Sequence, residues 1–138
     1  MKWKYNGEPF NEMLSEMFFG FVYLITDNVN NRKYIGKKQF MSNRKMTPKQ
    51  LKERIDKRLS RNRTESDWRE YNSSCIPLQK EIEKHGIDKF DFEILHLCQS
   101  KSMLTYIELK LQMENDVIFK QEYYNEVLGD RVLKSFKR

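Results

Sequence analysis

The clearest pattern of apolar and polar positions lies in the first third of the chain. Gly20-Phe-Val-Tyr-Leu-Ile-Thr26 has the β-branched and aromatic density of a strand, and Arg32-Lys-Tyr-Ile-Gly36 reads as its return. Between them, Asp27-Asn-Val-Asn-Asn31 is a turn cluster, because Asn and Asp tolerate left-handed backbone and bond their own main chain. Together these predict a β-hairpin. Lys89-Phe-Asp-Phe-Glu-Ile-Leu-His-Leu97 alternates apolar and polar residues and predicts a third strand. Helices are predicted where the spacing lengthens. Leu51, Ile55 and Leu59 form a narrow apolar edge from Pro48 to about Leu59, with Thr47 as N-cap and Pro48 at the first helical position. A second helix is expected near Pro77–His85, capped by Asn72-Ser73-Ser74 and stopped by Gly86. A longer one is expected from Ser102 to about Phe119, with Leu104, Ile107, Leu111 and Ile118 on one face.

Less patterned stretches fill the gaps. Residues 1–19 mix aromatics and charges around Gly7 and Pro9 and read as an N-terminal arm with one helical turn over Asn11–Met17. Ser60–Ser66 reads as a polar linker, Trp68 and Tyr71 as part of a short element, and Glu122–Val127 as a short extended piece. The order of elements predicts a small α/β domain: a three-stranded antiparallel sheet, made of the hairpin plus the third strand, flanked by helices. It would span 20–129, with a basic insertion at about 44–67 and a basic C-terminal tail at 130–138. At 138 residues this is one domain's worth of chain. An apolar share of 38% against 33% charged residues allows only a thin core, so aromatic side chains must supply much of its area.

Charge changes the picture because it is uneven. Between Arg44 and Arg63 nine basic residues face two acids, a local +7 that exceeds the net charge of +6 and leaves the remainder at −1. Such a stripe points to a polyanionic partner, although a solvated helix face would have the same composition. Cys75 and Cys98 form no CxxC pattern and have no histidine at zinc-ligand spacing, so reduced thiols are expected. The longest apolar run, Met17–Ile25, is too short to cross a bilayer, and no secretory signal is seen. A cytoplasmic protein without a membrane partner is the expectation.

Tyr23 and Tyr34 lie eleven residues apart across the hairpin, close enough to share a partner. Taken alone they are two aromatics on a sheet. Their context is Phe21-Val-Tyr23, ten residues, then Tyr34-Ile-Gly36, followed in order by Arg44, Trp68-x-x-Tyr71-Asn-Ser-Ser74, a Phe92-Glu-Ile-Leu95 strand before an acid-bearing helix, and Tyr124-Asn125. This series resembles the GIY-YIG nuclease superfamily, in particular its phage-encoded homing-type members, over about Gly20 to Gly129. The chain departs from that pattern in three places. The first motif is Phe-Val-Tyr, the segment between Arg44 and Trp68 is long and basic, and the histidine that many homing members carry in mid-domain has only Tyr71 or Asn72 in its place.

The resemblance implies a DNA endonuclease that uses one divalent cation, Mg²⁺ or Mn²⁺, and no small-molecule cofactor. It implies catalytic roles for Tyr23, Tyr34, Arg44, Glu108 and Asn125: the tyrosines at the water and base site, Arg44 on the scissile phosphate, Glu108 on the metal, and Asn125 in bonds that hold the site together. Glu114 lies nearer the centre of the predicted apolar face, but the distance of Glu108 from Ile94 and Asn125 fits the family arrangement better. DNA contacts are expected from Lys37, Lys38, Arg44, Lys45, Lys49, Lys52, Arg58, Arg61, Arg63 and Tyr71. If phage-encoded, the protein would act in the host cytoplasm. Only about nine residues follow Gly129, so no appended recognition domain is expected, and a homodimer is one way to make paired cuts. The competing expectations are a non-catalytic nucleic-acid-binding module of the same fold and, further off, a protein that binds a host factor.

Overall fold

In a computed structural model, residues 1–45, 61–129 and 133–134 are described, with 43–45, 61–63 and 133–134 described by backbone alone. The expected helix over Pro48–Leu59, and with it Lys49, Lys52 and Arg58, lies outside the described residues.

The elements in chain order are β1 (Trp3–Tyr5), β2 (Glu8–Pro9), a 3-10 turn (Glu12–Glu16), β3 (Gly20–Asp27), β4 (Arg32–Gln39), β5 (Met41–Lys45), β6 (Arg61–Glu65), α1 (Ile76–His85), β7 (Phe90–Cys98), α2 (Lys101–Glu114), β8 (Val127–Leu128) and β9 (Leu133–Lys134). The main sheet has five strands in the order β2-β1-β7-β3-β4. It is larger than the predicted three-stranded sheet and is mixed, since β1 runs parallel to β7 while the other pairs are antiparallel. The added strands come from residues 1–19, where an arm was expected. Asn6 and Gly7, at φ 53° and 81°, make the two-residue turn that joins Tyr5 to Glu8. Positive φ at both positions gives a turn whose twist matches the flanking strands. Trp3 is fully buried in this hairpin, and its indole N–H donates to the Trp68 carbonyl at 2.8 Å.

Two further expectations are corrected. Arg61–Glu65, read as part of a linker, is strand β6 and pairs with β5 from Met41↔Glu65 to Lys45↔Arg61. The last helix ends at Glu114 rather than near Phe119. Asn115 caps it by donating its side-chain amide to the Leu111 carbonyl at 2.8 Å, and Asp116, at φ 51°, turns the chain away.

Apolar residues pack on both faces of the sheet. One face carries Phe21, Tyr23, Ile25, Phe92 and Ile94 against Trp3, Phe40, Trp68 and Leu78. The other packs Val22 and Ile35 against Leu104 of α2 and the following Val117 and Ile118. A bulge re-aims β7 beside the first tyrosine: Val22 pairs with His96 but Tyr23 with Ile94, which leaves Leu95 without a partner in the ladder. α1 stops at Gly86, whose N–H bonds the Ile82 carbonyl at 2.9 Å. Cys75 and Cys98 are not disulfide-bonded. No described helix is long and apolar enough to cross a membrane.

Candidate active site

The register of the β3–β4 hairpin determines how its two tyrosines meet. Tyr23 pairs with Gly36, and Tyr34 with Ile25, so the tyrosines are diagonal neighbours on one face. Their ring centroids lie 6.1 Å apart at an interplanar angle of 35°. Gly36 makes this possible. A Cβ there would sit 2.4 Å from the Tyr23 hydroxyl oxygen and 2.6 Å from its Cζ, so the Tyr23 ring occupies the space that any other residue would fill. Trp3 packs edge-on against Tyr23 at 5.4 Å, and Tyr71 does the same at 6.0 Å.

Strand alternation sends the next two residues of β4 to opposite sides. Lys37 reaches toward α2, with its ammonium 3.4 Å from the Thr105 hydroxyl and 4.0 Å from Glu108 Oε1. Lys38 reaches toward the loop after β6, where its ammonium pairs with Asp67 at 2.6 Å and lies 4.0 Å from the centroid of the Tyr71 ring.

α2 forms the second wall. Its N-cap is Ser100, whose hydroxyl accepts from the Met103 N–H at 3.1 Å. The residues it buries are Leu104, Glu108 and Gln112, successive four-residue steps along one stripe. Glu108, expected at the edge of an apolar face, is therefore only 5% exposed, while Glu114 is exposed and lines a different groove beside Leu24, Leu95 and Lys110. Gln112 was not anticipated, although its position one turn beyond Glu108 is visible in the sequence. It donates to the Ile35 carbonyl at 3.0 Å and accepts from the Gly129 N–H at 2.7 Å.

Asn125 completes the frame. Its side-chain oxygen accepts from the Ile35 N–H at 3.1 Å, and its NH₂ donates to the Ile35 carbonyl at 2.8 Å. Two side-chain amides thus serve the outer edge of β4 between Tyr34 and Gly36, in place of another strand. Each such bond contributes ~1 kcal/mol net, and losing one side of it inside the fold costs about 1–3 kcal/mol. One step back, Lys33 exchanges backbone bonds with Glu122 and Tyr124, both at 2.7 Å, so residues 122–125 run along this edge.

These walls enclose a cavity of ≈ 390 Å³ lined by Tyr23, Tyr34, Lys37, Tyr71, Ser74, Glu108, Val127 and Gly129. Burial raises the Tyr23 hydroxyl well above its ordinary pKa, and the neighbouring Tyr34, Tyr71 and Glu108 add to the rise. Tyr34 is pushed up to about 12, again mainly by burial; a hydrogen bond with Ser74 opposes the rise. Both phenols are therefore protonated at neutral pH.

Among the described residues, no group of three or more His, Cys, Asp or Glu side chains could enclose a metal ion. The cavity offers one buried carboxylate, Glu108, among hydroxyl groups. That donor set fits a hard divalent cation such as Mg²⁺, which dehydrates reluctantly and takes one or two carboxylates together with water and substrate oxygens. It does not fit a closed zinc-type site.

Of the residues expected in the site, Tyr23, Tyr34, Lys37, Tyr71 and Glu108 line this one cavity, and Asn125 lies behind it. Lys38 is turned away toward Asp67. Arg44, Lys45, Arg61 and Arg63 lie on the β5–β6 ribbon, where Arg44 pairs with Asn62, Lys45 with Arg61, and Asn43 with Arg63. Their side chains are outside the described structure.

Against known proteins, residues 3–128 match the family model for the segE endonuclease, GIY-YIG domain. No curated protein and no solved structure matches the chain.

Proposed function

The chain belongs to the GIY-YIG nuclease superfamily, within the segE endonuclease family, and from that premise we propose a Mg²⁺-dependent endonuclease, phage-encoded, that hydrolyses phosphodiester bonds in DNA. The observation that carries the metal-dependent reading is the position of Glu108: a carboxylate only 5% exposed, in one cavity with the phenols of Tyr23 and Tyr34.

Hydrolysis needs a positioned water, neutralisation of charge building on the phosphate, and a stabilised leaving oxygen. Glu108 would hold Mg²⁺ or Mn²⁺, which when bound supplies Lewis-acid stabilisation of the phosphate oxygens and acidifies bound water. The chain's own groups do the rest. Tyr23 and Tyr34, kept protonated by burial, donate hydrogen bonds that orient the attacking water and the phosphate rather than acting as unaided bases. Lys37, 4.0 Å from Glu108, places positive charge where the phosphate would sit. Arg44 grips that phosphate, since a planar guanidinium can bond two of its oxygens and stays charged. Asn125 keeps the edge of β4 in register beneath the tyrosines. Lys45, Lys49, Lys52, Arg58, Arg61 and Arg63 track the DNA backbone, which makes binding steeply salt-dependent.

The test is cleavage of supercoiled plasmid with and without Mg²⁺. Wild type should cut only with the ion, Glu108→Ala should lose that activity, and Glu114→Ala should keep most of it. Binding without cutting on any DNA form would leave a DNA-binding module, and an equally dead Glu114→Ala protein would overturn the ligand assignment.

A further inference from the structure

Lys37 and Lys38 look equivalent in the sequence, two lysines beyond the Tyr34-Ile-Gly36 motif, but strand alternation gives them different neighbours. Lys37 faces Glu108, whereas the Lys38 ammonium is paired with Asp67 at 2.6 Å and lies over the Tyr71 ring at 4.0 Å. That ring also makes a T-shaped contact with Tyr23, with centroids 6.0 Å apart, and the Tyr23 hydroxyl shares a hydrogen bond with Tyr71. Tyr71 thus touches both a cation and the first tyrosine of the site. Its backbone is fixed separately: the Tyr71 N–H reaches the Trp68 carbonyl at 3.4 Å, that carbonyl accepts from the Trp3 indole, and Lys2 donates to the side chain of the next residue, Asn72. The Tyr71 ring itself is held by its contacts with Tyr23 and with the Lys38 ammonium.

We infer that Lys38 is a positioning residue, not a phosphate contact: with Asp67 as its counter-ion it clamps Tyr71 against Tyr23 and so sets the donor geometry inside the catalytic cavity. The inference rests on the nuclease reading for its kinetic consequence but not for its structural one. Asp67 is 72% exposed and its carboxyl is held below the ordinary range by Lys38, so the carboxylate stays charged in any neutral assay. A lysine engaged in this way has its charge balanced locally, and transferring it to a DNA phosphate would release Tyr71. The two roles therefore exclude each other, and removing Asp67 separates them.

The experiment compares wild type, Lys38→Met, Lys38→Arg and Asp67→Asn in single-turnover DNA cleavage and in DNA binding titrated against salt. For a clamp, Lys38→Met and Asp67→Asn should both slow cleavage by roughly ten- to a hundred-fold, the scale of a misplaced group near the chemistry. The slope of log binding constant against log salt should stay at the wild-type value for Lys38→Met. Lys38→Arg should restore most of the rate, because a guanidinium can pair with Asp67 and stack on the ring. The inference is overturned if Lys38→Met lowers the salt slope by about one with its loss confined to binding. It is equally overturned if Asp67→Asn binds DNA more tightly and cuts at the wild-type rate. Asp67 is exposed, so its variant decides the matter even if Lys38→Met does not fold. If the wild type cuts no DNA, the nuclease reading fails. The clamp is then judged by NMR: ring-to-ring contacts between Tyr23 and Tyr71 should vanish in both Lys38→Met and Asp67→Asn, and their survival would refute it.

Discussion

Two buried carboxylates sit at opposite ends of the tyrosine hairpin, in opposite situations. Asp27, at the turn, is fully buried and accepts from the Val29 N–H at 2.9 Å, the Asn30 N–H at 3.0 Å, the Asn30 amide at 2.9 Å and the Tyr124 hydroxyl at 2.6 Å. Its oxygens are committed to its own fold. Glu108, nearly as buried, lines a cavity of ≈ 390 Å³ with a lysine at 4.0 Å and two protonated phenols in the same lining. A carboxylate that closes a turn contributes stability, whereas one that opens on a polar cavity is placed for a ligand. Burial alone does not tell them apart, and their surroundings do.

The sharpest way to break this comparison is to neutralise each in turn. Glu108→Gln should lower metal-dependent cleavage by at least about a thousand-fold, because among the described residues no second carboxylate lines the cavity. Its melting temperature should stay within a few degrees of wild type. Asp27→Asn should do the reverse, costing ~2–4 kcal/mol because several charge-assisted bonds are weakened and the Tyr124 hydroxyl is left facing an amide. Its residual activity should follow the fraction folded. Thermal unfolding and plasmid nicking measured on the same samples decide it. A stable Asp27→Asn protein that has lost activity, or an unfolded Glu108→Gln, would erase the distinction.

The difference between the two acids was only half legible in the sequence. Asp27 stands in an evident turn cluster, but its bond to Tyr124 spans the length of the domain and has no local signature. Periodicity placed Glu108 at the edge of an apolar stripe and Glu114 nearer its centre. In the fold, the deepest stripe of α2 is Leu104, Glu108 and Gln112, because the helix packs where the edge of β4 needs polar partners. The hairpin itself was readable from residue type and turn chemistry, since its pairing is local. β1 was not, because three residues cannot show a two-residue period and a parallel pairing with β7 is a long-range event. Its one local signal was Asn6-Gly7, the residue pair that a two-residue hairpin turn calls for. β6 escaped for a different reason: Arg-Asn-Arg-Thr-Glu carries no apolar alternation to mark a strand.

Gly36 links the cavity to the hairpin and gives the next effect in size. Gly36→Ala adds only a methyl group, yet its Cβ would lie 2.4 Å from the Tyr23 oxygen and 2.9 Å from Tyr34 Cε1, so one ring must move. Overpacking of this kind costs about 1–3 kcal/mol, and the displaced phenol should lower cleavage well beyond the stability loss. Activity measured well below the melting temperature separates the two effects. A fully active Gly36→Ala protein would mean that the position of Tyr23 does not matter to the chemistry.

The smallest effects are those of pH, and they have opposite signs for Asp27 and for Tyr34. Burial alone would raise the Asp27 carboxyl, but the bonds from Tyr124, Asn30 and the Val29 N–H outweigh it and leave the group below its ordinary value. A carboxyl more acidic in the folded state stabilises the fold above its unfolded pKa, near ~3.9, and that contribution fades as pH falls through the folded value. Tyr34 works the other way. With its hydroxyl at about 12 in the fold, against an ordinary value near ~10, its contribution is complete below about pH 10 and is lost as pH rises through about 12. Denaturant titrations should therefore show an acid limb below about pH 4 that Asp27→Asn flattens, and an alkaline limb above about pH 10 that Tyr34→Phe reduces without removing, since burial also raises Tyr23 and Tyr124. Mg²⁺ sharpens the contrast. An ion held by Glu108 binds the folded state alone, so Mg²⁺ at neutral pH should raise the melting temperature of wild type and not of Glu108→Gln. A metal-dependent shift that persists in Glu108→Gln would place the ion elsewhere.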